Sequence, residues 1–267
     1  MEIIAKVSKG SKMDQIYIPR NRMGMAVGSY VVIRPAGEIE RKEKSGRLYY
    51  YDVKELEPIK LEIVNRIFSV VERSVDELEN IIITGSFLDE GYGFNDIDVL
   101  VVGNSEFNER ELGKEIERET GMKTHFLSVS NSELANGLES DPFYQVMLSR
   151  CITKKRFVYK IGRKINYKIL DLHLLHSKTL IEGFDVLNGI EKYKFTRNMI
   201  AIYLFVKGRK VGRKEVDKEI KKIFGTDPLN IKNDTLDKKN FLERYKGIYN
   251  RMFDLIMKGI KDGTKQK

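Results

Sequence analysis

The chain lacks the residues and patterns that mark several common function classes. Cys151 is the only cysteine among 267 residues, which excludes an intrachain disulfide and a cysteine-based zinc cluster. No apolar run approaches the ~20 residues needed to cross a bilayer, which argues against a membrane partner. The start, Met1-Glu2-Ile3-Ile4-Ala5-Lys6, has none of the charged, apolar and small-residue zones of a signal peptide. There is no Walker A pattern, no internal repeat and no low-complexity segment. Gly91-Tyr92-Gly93 precedes a strand-like run instead of opening a helix, so it is not a dinucleotide fingerprint. These absences lead us to expect a soluble, cytoplasmic protein.

What is present is enough for one large domain or a few small ones. Hydrophobic residues make up 41% of the chain, sufficient for real cores. The net charge of +9 admits a polyanionic partner such as nucleic acid.

Punctuation and periodicity divide the chain. Residues 1–35 read as short strands: 2–7, a Gly/Ser/Lys turn, 15–18 stopped by Pro19, then 29–34 stopped by Pro35. Residues 36–47 are polar and read as a linker. From 48 to 138 the order is strand, helix, strand, strand, helix, strand. Its first helix carries Leu56, Ile59, Ile63, Ile67 and Val71 at helical spacing. Residues 139–267 read as mostly helical. Asp141 and Pro142 open a helix over 142–151, and 167–181, 192–206 and 214–224 follow. A last amphipathic helix is marked by Phe241, Tyr245, Ile248, Met252, Ile256 and Ile260. The expected class is α+β: a short β-rich start, a small α/β unit with a mixed sheet, and a helical C-terminal part.

The most informative stretch is Ile81-Ile82-Ile83-Thr84-Gly85-Ser86, nine residues, then Asp96-Ile97-Asp98-Val99-Leu100-Val101-Val102. Alternation along a strand puts Asp96 and Asp98 on one face, and Ile97, Val99 and Val101 on the other. Two neighbouring carboxylates repel each other, and a divalent cation is the commonest reason to bring them together.

With the surrounding element order, Gly85-Ser86 followed by Asp96-Ile97-Asp98 resembles the polymerase-beta-type nucleotidyltransferase superfamily over residues 53–130. The resemblance implies a metal-dependent transfer of a nucleoside monophosphate from a nucleoside triphosphate such as ATP, with release of pyrophosphate. It implies that Asp96 and Asp98 are catalytic and hold Mg²⁺ or Mn²⁺. It also implies that Gly85 and Ser86 bind the nucleotide. Gly85 would let the backbone approach the phosphates, and Ser86 would offer a hydroxyl and an N–H at a helix start. The family has a third carboxylate on a later strand. Here that strand, residues 123–129, holds no acid, and His125 or Thr124 takes the place. Glu133, Glu139 and Asp141 are the acids of the following loops.

The first 35 residues resemble the AbrB-type swapped-hairpin DNA-binding family through Lys6 to Gly10, Ile16-Tyr17-Ile18-Pro19-Arg20 and Val27 to Ile33. That resemblance implies a homodimer joined through this segment, with Lys9, Lys12, Arg20 and Arg22 facing DNA. Its helix after Ile-Pro is compressed here to Asn21-Arg22-Met23-Gly24-Met25. A hairpin packed on the catalytic unit is the other reading.

Two further features compete with structural explanations. From Arg150 to Lys168 there are eight Lys/Arg and no acid, with Phe157, Tyr159 and Tyr167 interleaved. Lys154, Lys155 and Arg156 there are candidate nucleic-acid contacts, against a solvated loop with core aromatics. His173 and His176 could share a metal, but leucines surround both and favour core packing. The function expected is therefore a nucleotidyltransferase with an open acceptor. The alternative is a non-catalytic regulator that binds DNA through its N-terminal hairpin.

Overall fold

A computed structural model describes residues 7–11, 14–16, 47–156 and 162–264. The chain divides into two compact units, residues 1–45 and 46–267. In the first, β1 (Val7–Ser8) and β2 (Gln15–Ile16) pair antiparallel, Val7 opposite Ile16. Lys9 is exposed. Lys12, Arg20, Arg22 and the rest of the segment from 17 to 46 lie outside the described residues.

The second unit is a mixed α and β structure. Its first elements are β3 (Tyr49–Tyr51), α1 (Pro58–Ser74), β4 (Leu78–Thr84) and β5 (Ile97–Gly103). Next come α2 (Glu109–Thr120), β6 (Thr124–Val129), α3 (Asn131–Ser140), α4 (Pro142–Leu148) and β7 (Cys151–Thr153). The sheet order is β3-β7-β4-β5-β6, parallel only between β5 and β6. Local signals explain most boundaries. Pro58 sits in the first turn of α1, where its missing N–H costs nothing. The Asn108 side chain caps α2, and Gly121 ends it in the left-handed conformation, which its missing Cβ permits.

Strand alternation sorts the sheet into two faces. Ile81, Ile83, Ile97, Val99, Val101, Phe126 and Ile152 pack with the buried residues of α1 and α2. Ile82, Leu100, Val102, Val129 and Cys151 form the other face, under Leu134, Leu138 and Leu148 from α3 and α4. The expected helix over 142–151 is cut short. It ends at Leu148, and Cys151 begins β7, which lies between β3 and β4. The strand 151–153 is too short to show a period, and only its two strand neighbours reveal it as sheet.

The remaining helices are α5 (Tyr167–Ser177), α6 (Thr179–Glu182), α7 (Gly189–Val206), α8 (Arg213–Phe224), α9 (Pro228–Lys232) and α10 (Lys238–Thr264). They share a core of their own around Met199, Ile202, Phe205, Tyr245 and Met252. α7 is buried on nearly every side, so it is the central rod of this layer. Among the described residues no helix is long and apolar enough to cross a membrane.

Candidate functional site

The site is assembled at one end of the sheet, on the face opposite α1 and α2. Thr84, the last residue of β4, stands opposite Asp98 of β5. Asp98 in turn stands beside His125 of β6. Parity puts all three on one face, together with Leu100 and Val102 farther along β5. Asp96 precedes β5 by one residue and is exposed.

Gly85 follows Thr84 directly and has φ +87°, in the left-handed region. A Cβ built there would overlap the Asp98 carboxylate. Glycine is therefore required twice, by its dihedral and by the approach of Asp98. Ser86 is exposed and opens a short 3₁₀ turn, Ser86–Leu88. Phe87 and Leu88 are pulled into the core and fix that turn.

The electrostatics of Asp98 fit a cation. Burial raises its pKa above the ordinary aspartate value, and the negative charge of Asp96 raises it further. His125 and Lys194 act in the opposite direction. The His125 Nδ1 lies 3.6 Å from Asp98 Oδ1, which is ion-pair distance and too long for a hydrogen bond. Among the described residues no three His, Cys, Asp or Glu side chains converge to hold a metal unaided. Two carboxylates completed by water or by oxygens of a bound ligand would still suit Mg²⁺, which is seldom caged by protein alone. The donor set therefore fits a divalent ion that shares such a ligand.

The helical layer adds groups that the sequence did not single out. Lys194 and Arg197 of α7 both bear electrostatically on Asp98. Among the described residues the Arg197 guanidinium hydrogen-bonds only the neutral Asn198 side chain, at 3.2 Å, and burial depresses its pKa. Charged residues breaking into the apolar run of α7 were the available signal.

The loop between β4 and β5 is clamped from both sides. Arg213 of α8 and Arg150 both bind the Asp89 carboxylate, at 2.7 and 2.6 Å. From beneath, the fully buried Lys60 of α1 donates to the Asp89 carbonyl at 2.5 Å and pairs with Glu57 at 3.0 Å. Its ammonium also lies over the rings of Phe87, Tyr92 and Phe94. Glu57 accepts from the Gly91 N–H at 2.8 Å. The loop carrying Ser86 and leading to Asp96 is thus fixed by long-range ionic contacts.

Other sequence candidates are committed elsewhere. Glu133 closes a capping box with Ser130. Asp141 caps α4 and lies 3.0 Å from His173, whose ring stacks on Phe143. His176 meets the edge of Phe195 instead, so the two histidines have separate partners. In the basic stretch, Lys154 pairs with Glu72 at 2.9 Å and Lys155 reaches the Leu78 carbonyl at 3.3 Å. Arg156 is exposed, Tyr167 packs on the helical core, and Phe157 and Tyr159 lie outside the described residues. A cavity of about 550 Å³, lined by Tyr51, Leu138, Leu148, Arg163, Lys210 and Val211, contains none of the predicted site residues. The chemistry of Asp98 does not depend on it. No protein-family model and no curated protein matches this chain.

Proposed function

We propose that the second unit is a nucleotidyltransferase that moves a nucleoside monophosphate from a nucleoside triphosphate to an acceptor and releases pyrophosphate. One observation carries the reading. The Asp98 carboxylate is seated against the Cβ-less face of Gly85, so a backbone that could approach a phosphate stands beside a carboxylate, with Asp96 two residues before it. Asp96 and Asp98 would hold Mg²⁺ or Mn²⁺, which supplies charge neutralisation at the phosphoryl oxygens. Gly85 and Ser86 would seat the β- and γ-phosphates against exposed backbone. Lys194 and Arg197 would attract the polyphosphate and offset the charge it brings to Asp98.

The test is incubation with each α-labelled nucleoside triphosphate, Mg²⁺ or Mn²⁺, and cell extract. Labelled product that disappears in Asp96→Ala and Asp98→Ala supports the reading. Nucleotide binding without transfer under every condition overturns it.

A second reading draws on His125. With imidazole where the family has its third carboxylate, the fold would bind nucleotide as a sensor and perform no transfer. Saturable binding of a metal–nucleotide complex, unaccompanied by pyrophosphate release, would distinguish it.

A further inference from the structure

The side of the helical layer carrying α10 presents a charge pattern that the proposed site does not use. Arg244, Arg251 and Lys258 recur every seven residues, which returns nearly to the same side of a helix. They form a row about 21 Å long at 1.5 Å per residue. All three are exposed. Arg251 and Lys258 have no ion-pair partner among the described residues. Arg244 is held by neutral groups only, donating to Asn240 Oδ1 at 2.9 Å and to the Ile223 carbonyl at 2.8 Å. Its position is fixed while its charge stays uncompensated.

Among the described residues none of the acids near this row pairs with its cations. Glu219 is bound by Arg209 at 2.7 Å and Asp227 by Lys221 at 2.5 Å. On α10 itself, Asp254 stands three residues after Arg251 and four before Lys258, and Asp262 four after Lys258, on the row's own side; among the described residues neither is within ion-pair distance of a row cation. Between Arg244 and Arg251 the surface opens into a groove of about 330 Å³, lined by Tyr203, Ile223, Gly247 and Ile248. A side chain at 247 would meet nothing within 4 Å, so the space above the helix is free. An aromatic wall between the held Arg244 and the exposed Arg251 suits a base with its flanking phosphates.

We infer that the Arg244–Arg251–Lys258 row and the Tyr203 groove form a binding surface for a single-stranded nucleic acid. The cations track the backbone, and the groove takes one base against Tyr203. This surface is distinct from the nucleotide site: α8 runs from Arg213 beside Asp89 to Ile223 in the groove, about 15 Å along its axis. The inference therefore stands without any transfer chemistry.

The experiment uses the full chain, without nucleotide or metal, and measures fluorescence anisotropy of a labelled single-stranded oligonucleotide of about 12 residues across a salt series. A matched duplex and heparin are run alongside. The expected result is a preference for the single strand. Arg251→Gln with Lys258→Gln should weaken binding at least tenfold and reduce the slope of log affinity on log salt by about 1.4, two contacts' worth. Tyr203→Leu should weaken binding roughly fivefold or more and leave that slope unchanged. Circular dichroism melting confirms that the surface variants remain folded. Wild-type protein that does not bind, or variants that bind like wild type, overturn the inference. So does equal binding of heparin or duplex that is indifferent to Tyr203. Asp98→Ala should retain strand binding, which separates failure here from failure of the transferase reading.

Discussion

Asp98 and His125 stand side by side across the parallel pair β5 and β6, with the imidazole Nδ1 3.6 Å from the carboxylate. On the proposed reading, the ring would stand where an oxygen ligand completes a hard-cation site. Imidazole is a poorer ligand than carboxylate for Mg²⁺ and an acceptable one for softer divalent ions. Wild-type protein should therefore bind Mn²⁺ with nucleotide more tightly than Mg²⁺ with nucleotide. His125→Asp should shift the preference towards Mg²⁺ and raise its apparent affinity about tenfold. Calorimetric titration of each metal–nucleotide complex checks this, and an unchanged ratio counts against His125 as a ligand.

Gly85 has a positive φ, and an added Cβ would overlap Asp98. Gly85→Ala should cost about 1–3 kcal/mol of stability, the scale for a residue forced into a sparsely populated backbone region. It should also abolish nucleotide binding, because Asp98 must move away. Ser86→Ala leaves the backbone untouched and should lose affinity without losing stability. Thermal melts with and without nucleotide separate the two effects.

Lys60 is fully buried, yet it holds Glu57, the Asp89 carbonyl and three aromatic rings. Lys60→Met keeps the aliphatic stem and removes the charge, leaving Glu57 without its cation. The expected loss is about 3 kcal/mol, near the lower end for breaking a buried pair, since Glu57 retains access to water. Adding Glu57→Gln should restore part of it. Denaturant titration of the single and double variants measures the coupling.

Glu219 is nearly inaccessible and accepts from Arg209 at 2.7 Å. The Arg209 hydrogen bond lowers its pKa below the usual glutamate value. A lowered folded-state pKa stabilises the fold above the unfolded-state value of about 4.3, and that contribution is lost as pH falls through the folded-state value. Glu219→Gln should therefore be less stable than wild type near neutral pH, and the gap should narrow as pH drops below about 4. Melting temperatures measured over that range test the sign. A gap that widens in acid contradicts the assignment.

Residues 46–267 show which features were legible in advance. Helical period placed α1 and α10, while Asp141 and Pro142 placed the start of α4 and Gly121 the end of α2. Parity alone put Ile97, Val99 and Val101 on the face away from Asp98. β7 was missed because a three-residue strand carries no period, and α3 and α9 because their apolar marks are few. In the site, the residue types at the ends of β4 and β5 were legible, but not which of Thr124 and His125 stands beside Asp98, nor the Gly85–Asp98 approach, because both depend on strand pairing. Lys194, Arg197 and the clamp on Asp89 were not legible either, since each comes from an element remote in sequence.

The sequence by itself determined the local elements, the mixed character of the unit and the residue types at one strand end. Those depend on backbone preferences and on periods of 2 and 3.6, which a chain carries in its own order. Only the tertiary structure decided that His125 neighbours Asp98, that Lys194 and Arg197 of α7 bear electrostatically on Asp98, and that Arg150, Arg213 and Lys60 hold the loop. Strand pairing and long-range ion pairing join residues with no fixed spacing. They are selected when the apolar faces of sheet and helices close on one another and bring distant charges within reach.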